Sequence, residues 1–467
     1  MFDLLLINGI IITVDENNRV IENGYVAIQD ERIVEIGEIS ELKGTAKKVM
    51  NMEGHAILPG LIDGHGHCGH SLQRTLNEHD PNIENMMFEI QNHCSDNEFW
   101  YDDAVIAAIE RIKFGTTTAV SMFDRALHPD YTQPLEAAIQ GASTTGIRQF
   151  TGCGAPYGKW IEYTREYKED GSYIDLNIEP EMFSISTEKT VKELNNKYKR
   201  ATCIVAAGRM GQRPNVDDKT NQYFDTEMYR ISRKYNVPLH THCYGGDIKA
   251  IYERTPEILG PWMSCTHLIG ISDEEIDILS KTKPYFFHGP TTWSNVVGHP
   301  KVIEMMEKGI PTVIVTDGSG PDRSYDLWRD MKNVQLFQRF RKKDAGLLPC
   351  GTVLRMATIE PAKALGIDSY TGSLEVGKKA DIITVDMMQA HLVPFHVMPI
   401  QRLVYHAMGQ DVDNVIIEGE IVMENRKMTL VDEKQALKNA QKSFEKMYAR
   451  LNKDVMTNPK LYDLRMF

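Results

Sequence analysis

Apolar and polar positions alternate in short runs at both ends of the chain. In the middle, brief apolar runs alternate with longer stretches of helical spacing. Near the start, Leu4 to Val14, Tyr25 to Gln29 and Arg32 to Ile36 carry a two-residue period, and Asp15-Glu16-Asn17-Asn18 interrupts it. Such segments read as half-buried strands, because successive side chains leave a strand on opposite faces. The texture returns in Ala380 to Asp386 and Val415 to Val422. The two ends are therefore expected to pair into one small β-sandwich domain built from residues 1–58 and 372–430.

The middle reads differently. Strands are expected at Thr116 to Met122, Ile147 to Gly152, Thr202 to Ala207, Pro238 to His242, Ser264 to Leu268, Tyr285 to His288 and Thr312 to Thr316. Helical segments such as Asp102 to Lys113 and Leu135 to Thr144 separate them. With the apolar run Ala56 to Ile62 they make eight strand–helix units, the rhythm of an α/β (β/α)8 TIM barrel, here over residues 59–371. In that fold chemistry sits at the C-terminal ends of the strands. The tail, Asp432 to Leu451, places Leu437, Ala440, Phe444, Met447 and Leu451 on one helical face, so 431–467 is expected to be a helical extension packed on the barrel or on a partner.

Composition narrows the function. A hydrophobic content of 42% with 25% charged residues is that of a soluble globular protein. A net charge of -13 argues against nucleic acid or an anionic membrane as a partner. No run has the apolar length of a membrane span. Met1 to Val14 carries Asp3 and Asn8-Gly9 and lacks a basic start, so it reads as strand and turn, not as a signal peptide. Seven cysteines without framework spacing point to a reducing, cytoplasmic home.

Four of the expected strand ends carry metal-ligand chemistry. The first runs into Asp63-Gly64-His65-Gly66-His67, and residues two apart on a strand face one side, as one divalent ion requires. The fifth ends His240-Thr241-His242, the sixth ends at His267, and the eighth closes an apolar run with Asp317. A carboxylate in that position is costly unless it meets a cation or hydrogen-bond donors. Each histidine alone reads as structural, but the set on four strand ends of one barrel argues for a metal. Cys68, Cys243 and Cys265 stand beside these ligands as packing residues. Tyr157, Trp160, Tyr163, Tyr167 and Tyr173, after the third barrel strand, suit a substrate lid or an oligomer contact equally.

At these residues the chain resembles the amidohydrolase superfamily, in the branch of S-adenosylhomocysteine/methylthioadenosine deaminases, guanine deaminases and triazine hydrolases. The resemblance rests on Pro59 to His67, Gly115-Thr116-Thr117-Thr118, Thr316-Asp317-Gly318, Ala357 to Gly366 and Gly372 to Asp381. It implies that His65, His67, His242 and Asp317 hold one divalent ion, zinc before iron. His267 would orient the attacking water or polarise the substrate, and Asp317 would also act as catalytic base. The fourth strand lacks the lysine that binuclear members carbamylate, which favours a single ion. The expected reaction is release of ammonia or an amine from a small nitrogen heterocycle such as a purine, pterin or triazine, without an organic cofactor and in a homo-oligomer. An amide or carbon–halogen hydrolase, or an inactive metal-binding relative, are the alternatives.

The pattern breaks in two places. Deaminases of this branch carry a glutamate three residues after the fifth-strand histidine, where this chain has Gly245. Their Pro-His substrate motif after the fourth strand is replaced by Gly208-Arg209-Met210-Gly211-Gln212-Arg213. Tyr244, His267, Asp247 or the substrate itself could supply the missing proton, although Asp247 also suits a helix cap. Arg209, Arg213, Arg323 and Asp247 are the candidates for substrate contact.

Overall fold

The apolar run that leads to His65 is divided between two sheets. In the computed structural model, which describes residues 1–76, 83–292, 298–320 and 322–451 (83–85 in backbone only), His55–Pro59 belongs to the sheet of the chain ends and Leu61–Asp63 opens the barrel. The single strand expected there is thus two short ones.

Eight parallel strands follow in sequence order: Leu61–Asp63, Thr116–Met122, Arg148–Cys153, Ala201–Ala207, Leu239–Tyr244, Met263–Ile269, Tyr285–His288 and Thr312–Ile314. They are the eight expected from the sequence, with ends moved by a residue or two. Thr116–Met122 and Met263–Ile269 are buried at every position, as strands covered on both faces must be. The ring closes between its last and first strands. The Asp317 N–H donates to the His65 carbonyl at 3.1 Å, and the Asp63 carboxylate accepts the Thr316 N–H at 3.0 Å and hydroxyl at 2.6 Å. The fully buried Arg111, from helix Asn97–Lys113, donates to Asp63 from below the seam.

The chain ends form one nine-stranded sheet. Its order runs Lys427–Met428, Glu420–Glu424, Val412–Ile417, Ile382–Asp386, His55–Pro59, Phe2–Ile12, Val20–Gln29, Arg32–Glu38, with Ala46–Asn51 also pairing with Phe2–Ile12. Alternation assigns its two faces: Ile57, Ile382 and Ile416 join the sheet's own core, while Leu58, Ile383 and Val415 join the barrel core. The run Val415 to Val422 is a hairpin, not one strand. Glu418 and Gly419 sit at φ 52° and 75°, as a two-residue hairpin turn of the right twist demands.

The tail helix Glu433–Arg450 docks on Asn97–Lys113, burying Ala440 and Met447 and leaving Leu437 exposed. Ser443 donates to Asp102 at 2.5 Å, and Lys446 and Arg450 flank Asp96. The part of the expected extension beyond residue 451 lies outside the described residues. The aromatic segment after the third barrel strand contains a hairpin, Tyr163–Tyr167 with Tyr173–Asn177. Tyr167 pins it by donating to the His93 carbonyl at 2.7 Å. Among the described residues, no helix is long and apolar enough to cross a membrane.

Candidate metal centre and active site

Three imidazoles reach the mouth of the barrel with one ring nitrogen already committed. His65 Nδ1 lies 2.7 Å from His240 Nε2, whose own Nδ1 lies 2.6 Å from Ser264 Oγ. His67 Nδ1 meets Asp124 Oδ2 at 2.5 Å, and His242 Nδ1 meets the Gly208 carbonyl at 2.6 Å. The three Nε2 atoms therefore face one another and Asp317. His242 Nε2 is 3.3 Å from His65 Nε2, and Asp317 Oδ1 lies 3.4 Å from His65 Nε2 and 3.1 Å from His67 Nε2. His65, His67 and His242 form one group with metal-ligand spacing, and His65, His267 and Asp317 form another. His240, two residues from His242 on the same strand, serves His65 and not the cluster's centre.

The electrostatics call for a cation. Burial, the dominant influence, holds His65 well below the ordinary imidazole range and, with the charge on His67, takes His242 down to about 4. Burial also depresses His67, but Asp124 and Asp317 on its two ring nitrogens outweigh that and raise it to about 10. Asp317 is held well below the usual carboxylate range, because Arg323, His65 and His67 overcome the effect of burial. Two carboxylates thus face His67, and one positive charge completes the cluster. A divalent ion bound at the Nε2 atoms supplies positive charge without a second proton on His67, so the donor set fits a metal.

His267 stands beside this group. Its ring lies parallel to that of His242, with centroids 5.0 Å apart, and its Nδ1 is buried without a hydrogen-bond partner among the described residues. His267 and Asp317 both have left-handed backbone, at φ 76° and 67°, a conformation that costs non-glycine residues of order 1–3 kcal/mol and gathers at functional sites. No pattern in the sequence announces it. Asp317 Oδ2 accepts from the buried Thr292 hydroxyl at 2.5 Å, while Oδ1 takes the Gly318 N–H at 2.6 Å. Sequence reasoning gave no role to Thr292, Asp124 or Asp63, although Asp63 opens the stretch that ends in His65 and His67. Gly66, between the two histidines, is equally constrained: a Cβ there would lie 2.2 Å from Arg111 Nη2.

Tyr157 and Tyr244 wall the other side. Tyr244 lies over His267 with centroids 5.6 Å apart, and Tyr157 meets His242 edge-on at 6.2 Å. Arg209 lies 4.9 Å above the Tyr244 ring and 5.8 Å from that of Tyr157. Its Nε and Nη2 donate to Asp247 at 2.9 and 3.2 Å. Asp247 itself is fully buried and also takes the Tyr244 and Gln212 N–H groups, both at 2.7 Å, so it anchors Arg209. Arg323, buried, donates to the Gly318 and Gly320 carbonyls at 2.7 and 2.6 Å and shapes the loop behind Asp317. Arg213 is paired with Asp225 at 3.0 Å in the interior. Cys68, Cys243 and Cys265 are buried free thiols, and burial raises Cys68 and Cys243 well above the usual thiol range, so neither presents a thiolate.

Gly245 shows why no acid occupies the third position after His242. A Cβ there would stand 2.3 Å from the Gly270 carbonyl oxygen and 2.8 Å from its carbon, because the ends of the fifth and sixth strands meet backbone to backbone. The Gly245 N–H donates to the Ile269 carbonyl at 2.9 Å in the same contact.

Known proteins share this architecture. The 5'-deoxyadenosine deaminase of Methanosarcina acetivorans is 28% identical, over 97% of this chain and all of the relative. The 5-methylthioadenosine/S-adenosylhomocysteine deaminase of Syntrophobacter fumaroxidans is 28% identical, over 91% of this chain and 94% of its own. A zinc-bound adenosine deaminase from Xanthomonas campestris superposes with a TM-score of 0.78 at 19% identity, covering 96% of this chain and 99% of that structure. The zinc complex of an atrazine chlorohydrolase from Arthrobacter aurescens gives 0.77 at 19%, covering 94% and 100%. The model of the amidohydrolase family matches residues 56–422, from the strand before His65 to the sheet of the chain's second end. The chain belongs to the amidohydrolase family.

Proposed function

We propose that the protein is a mononuclear, zinc-dependent aminohydrolase that releases ammonia or an amine from a small nitrogen heterocycle such as a purine, pterin or triazine. One observation carries the reading: three Nε2 atoms and Asp317 Oδ1 converge on one point, with a ring nitrogen of His267 beside them. His65, His67, His242 and Asp317 would hold the ion, whose Lewis acidity lowers the pKa of water toward neutrality. Asp317 accepts a proton from the attacking water, its carboxylate oriented by Thr292. His267 donates a hydrogen bond to the substrate atom that gains charge, and the protonated Asp317 returns its proton to the departing nitrogen. The names of the relatives, deaminases of adenosine-type nucleosides, support this reaction class.

Among the sequence candidates for substrate contact, Arg209 is the residue we assign to that role, with Asp247 and Arg323 holding the surrounding loops. The domain limits 1–58 with 372–430, 59–371 and 431–467 are retained as the working division. A homo-oligomer is supported by Leu336, Phe337 and Phe340, exposed on a single helix. A reducing cytoplasm suits seven free, buried cysteines.

The test combines metal analysis with ammonia release. Protein purified without chelator is expected to hold about one zinc per chain, and the zinc-loaded enzyme to release ammonia from at least one member of a panel of aminated purines, pterins and triazines. Asp317→Asn should nearly abolish that turnover. Zinc-loaded protein inert across the panel would overturn the reading.

A further inference from the structure

Outside the metal centre, one buried acid stands with half of its carboxyl group unused. Asp330, in the helix Leu327–Lys342 that follows the eighth barrel strand, is completely buried. Its Oδ1 accepts the Thr291 hydroxyl at 2.7 Å, and its Oδ2, also buried, has no hydrogen-bond partner among the described residues. The neighbouring cation, Arg329, gives Nη2 to the same Thr291 oxygen at 3.4 Å, so the hydroxyl stands between guanidinium and acid. An ionised carboxylate in that place would exchange its hydration for a single donor, whereas a neutral carboxyl group costs far less to bury.

The surrounding charges favour the neutral form as well. Asp326, the N-terminal cap of the same helix, and Asp63, at the end of the first barrel strand, face Asp330 with like charge. Arg329 opposes them from the helix itself, and Arg111, from helix Asn97–Lys113, is engaged with Asp63. Burial outweighs Arg329 and the Thr291 bond and pushes the Asp330 carboxyl up to about 8. The acid thus keeps its proton at neutral pH and sheds it on the alkaline side. Its one partner leads to the catalytic base. Thr291 is followed by Thr292, whose hydroxyl donates to Asp317 Oδ2 at 2.5 Å and whose N–H closes a turn on the Gly289 carbonyl at 3.3 Å. Asp330 and Asp317 therefore grip neighbouring threonines of one short turn.

We propose that Asp330 is a positioning residue for the catalytic base: as a neutral acid it fixes Thr291 and, through Thr292, the Asp317 carboxylate, and its ionisation frees that turn and sets an alkaline limit on turnover. A carboxylate at this place must draw water or a further donor to Oδ2. The half-buried Thr291 is the part that yields, since Leu327, Trp328 and Met331 on the helix are packed in the interior. The role of Asp317 as base rests on the aminohydrolase reading, but the hold of Asp330 on the turn does not.

The experiment compares zinc-loaded wild type, Asp330→Asn and Thr291→Val between pH 7 and 9.5, by steady-state rates on a panel substrate and by amide hydrogen exchange of the peptide spanning residues 286–292. Asp330→Asn keeps an acceptor for Thr291 and cannot ionise, so its kcat at pH 7 should stay within about 3-fold of wild type. By pH 9.5 wild-type kcat should have fallen about 10-fold further than that of the variant, with KM alike in the two. Exchange is compared between the proteins at each pH, so that intrinsic rates cancel. It should match at pH 7 and run about 10-fold faster in wild type at pH 9.5. Rate profiles that superimpose, or exchange that stays equal at both pH values, overturn the proposal. Should Asp330→Asn misfold, Thr291→Val decides. Without the hydroxyl, kcat at pH 7 should drop about 10-fold and exchange of the turn should quicken, with zinc content retained and Thr291→Ser recovering most of the loss. Wild-type kcat and exchange in Thr291→Val overturn the proposal. Absence of turnover on every panel compound would overturn the aminohydrolase reading, and the exchange comparison would still decide whether Asp330 holds the turn.

Discussion

Replacing Asp63 with alanine asks whether the barrel seam and the metal centre are one structure. The carboxylate accepts the Thr316 N–H and hydroxyl and Arg111 Nε, all within the interior. Burial pushes Asp63 up despite Arg111, so the intact pair contributes little net stability. Truncation is a different matter, because it strands a guanidinium whose side chain is 1% exposed. Removing one partner of a buried pair costs about 3–5 kcal/mol. Unfolding entropy of about 2.1 cal/mol/K per residue gives this chain about 1 kcal/mol/K if it unfolds in one step, so its Tm should drop by about 3–5 °C. The metal site should suffer as well. Asp63 lies two residues before His65 and bonds to the residue before Asp317, so a loosened seam spreads the ligands and should weaken zinc binding by about 10–100-fold. Scanning calorimetry with and without zinc, and competition against a chromophoric chelator, measure the two effects. Arg111→Met in the Asp63→Ala background removes the stranded charge and should recover part of the lost stability. An unchanged Tm and zinc affinity in Asp63→Ala would refute the reasoning, as would a double variant whose loss equals the sum of the singles.

Three further outcomes follow from the same geometry. Gly245→Glu should not create a second acid; the Gly270 carbonyl must move to admit any Cβ, at a cost of about 1–3 kcal/mol, so a lower Tm and no new substrates are expected from melting and panel turnover. Thr292→Val removes the hydroxyl that orients Asp317 and should lower kcat by about 10–100-fold with KM and zinc content little changed, the scale of a hydrogen bond to a charged group; Thr292→Ser should restore most of it. Glu418, held at about 2 because bonds from Lys379, Arg148 and Arg200 overcome its burial, has a folded pKa below its unfolded one. Its stabilising effect is therefore full above about pH 4.5 and lost as the pH falls toward 2. Melting curves of wild type and Glu418→Gln should converge over that window, and curves that stay parallel would exclude the linkage.

The barrel was legible because its strands are covered on both faces and read as short apolar runs between helices of opposite patterning. The four strand ends with His65, His242, His267 and Asp317 were legible for the same reason: polar residues that end apolar runs stand out. Other features had no one-dimensional signal. The break between His55–Pro59 and Leu61–Asp63 lies inside a continuous apolar run, where hydrophobicity cannot tell one sheet from another. Asp63, Asp124 and Thr292 act through partners 253, 57 and 25 residues away, a separation no spacing rule reaches. Asp247 and Arg213 looked like substrate contacts because charge after a strand end suggests function. Their burial and pairing, visible only in three dimensions, give them structural work.

The outer nitrogens of the three ligand histidines show how the site is prepared. Asp124 and the Gly208 carbonyl can only accept, so His67 and His242 must carry their protons on Nδ1 and turn the Nε2 lone pairs inward. The third histidine lacks so simple a partner. His65 Nδ1 faces another imidazole, His240, whose far nitrogen meets Ser264; with His65 donating to His240 and His240 donating to Ser264 Oγ, all three groups are satisfied. That arrangement also leaves His65 with its Nε2 lone pair inward. Two acceptors thus enforce that tautomer at His67 and His242 and the relay through His240 allows it at His65, an arrangement of inward lone pairs that suits a common cation.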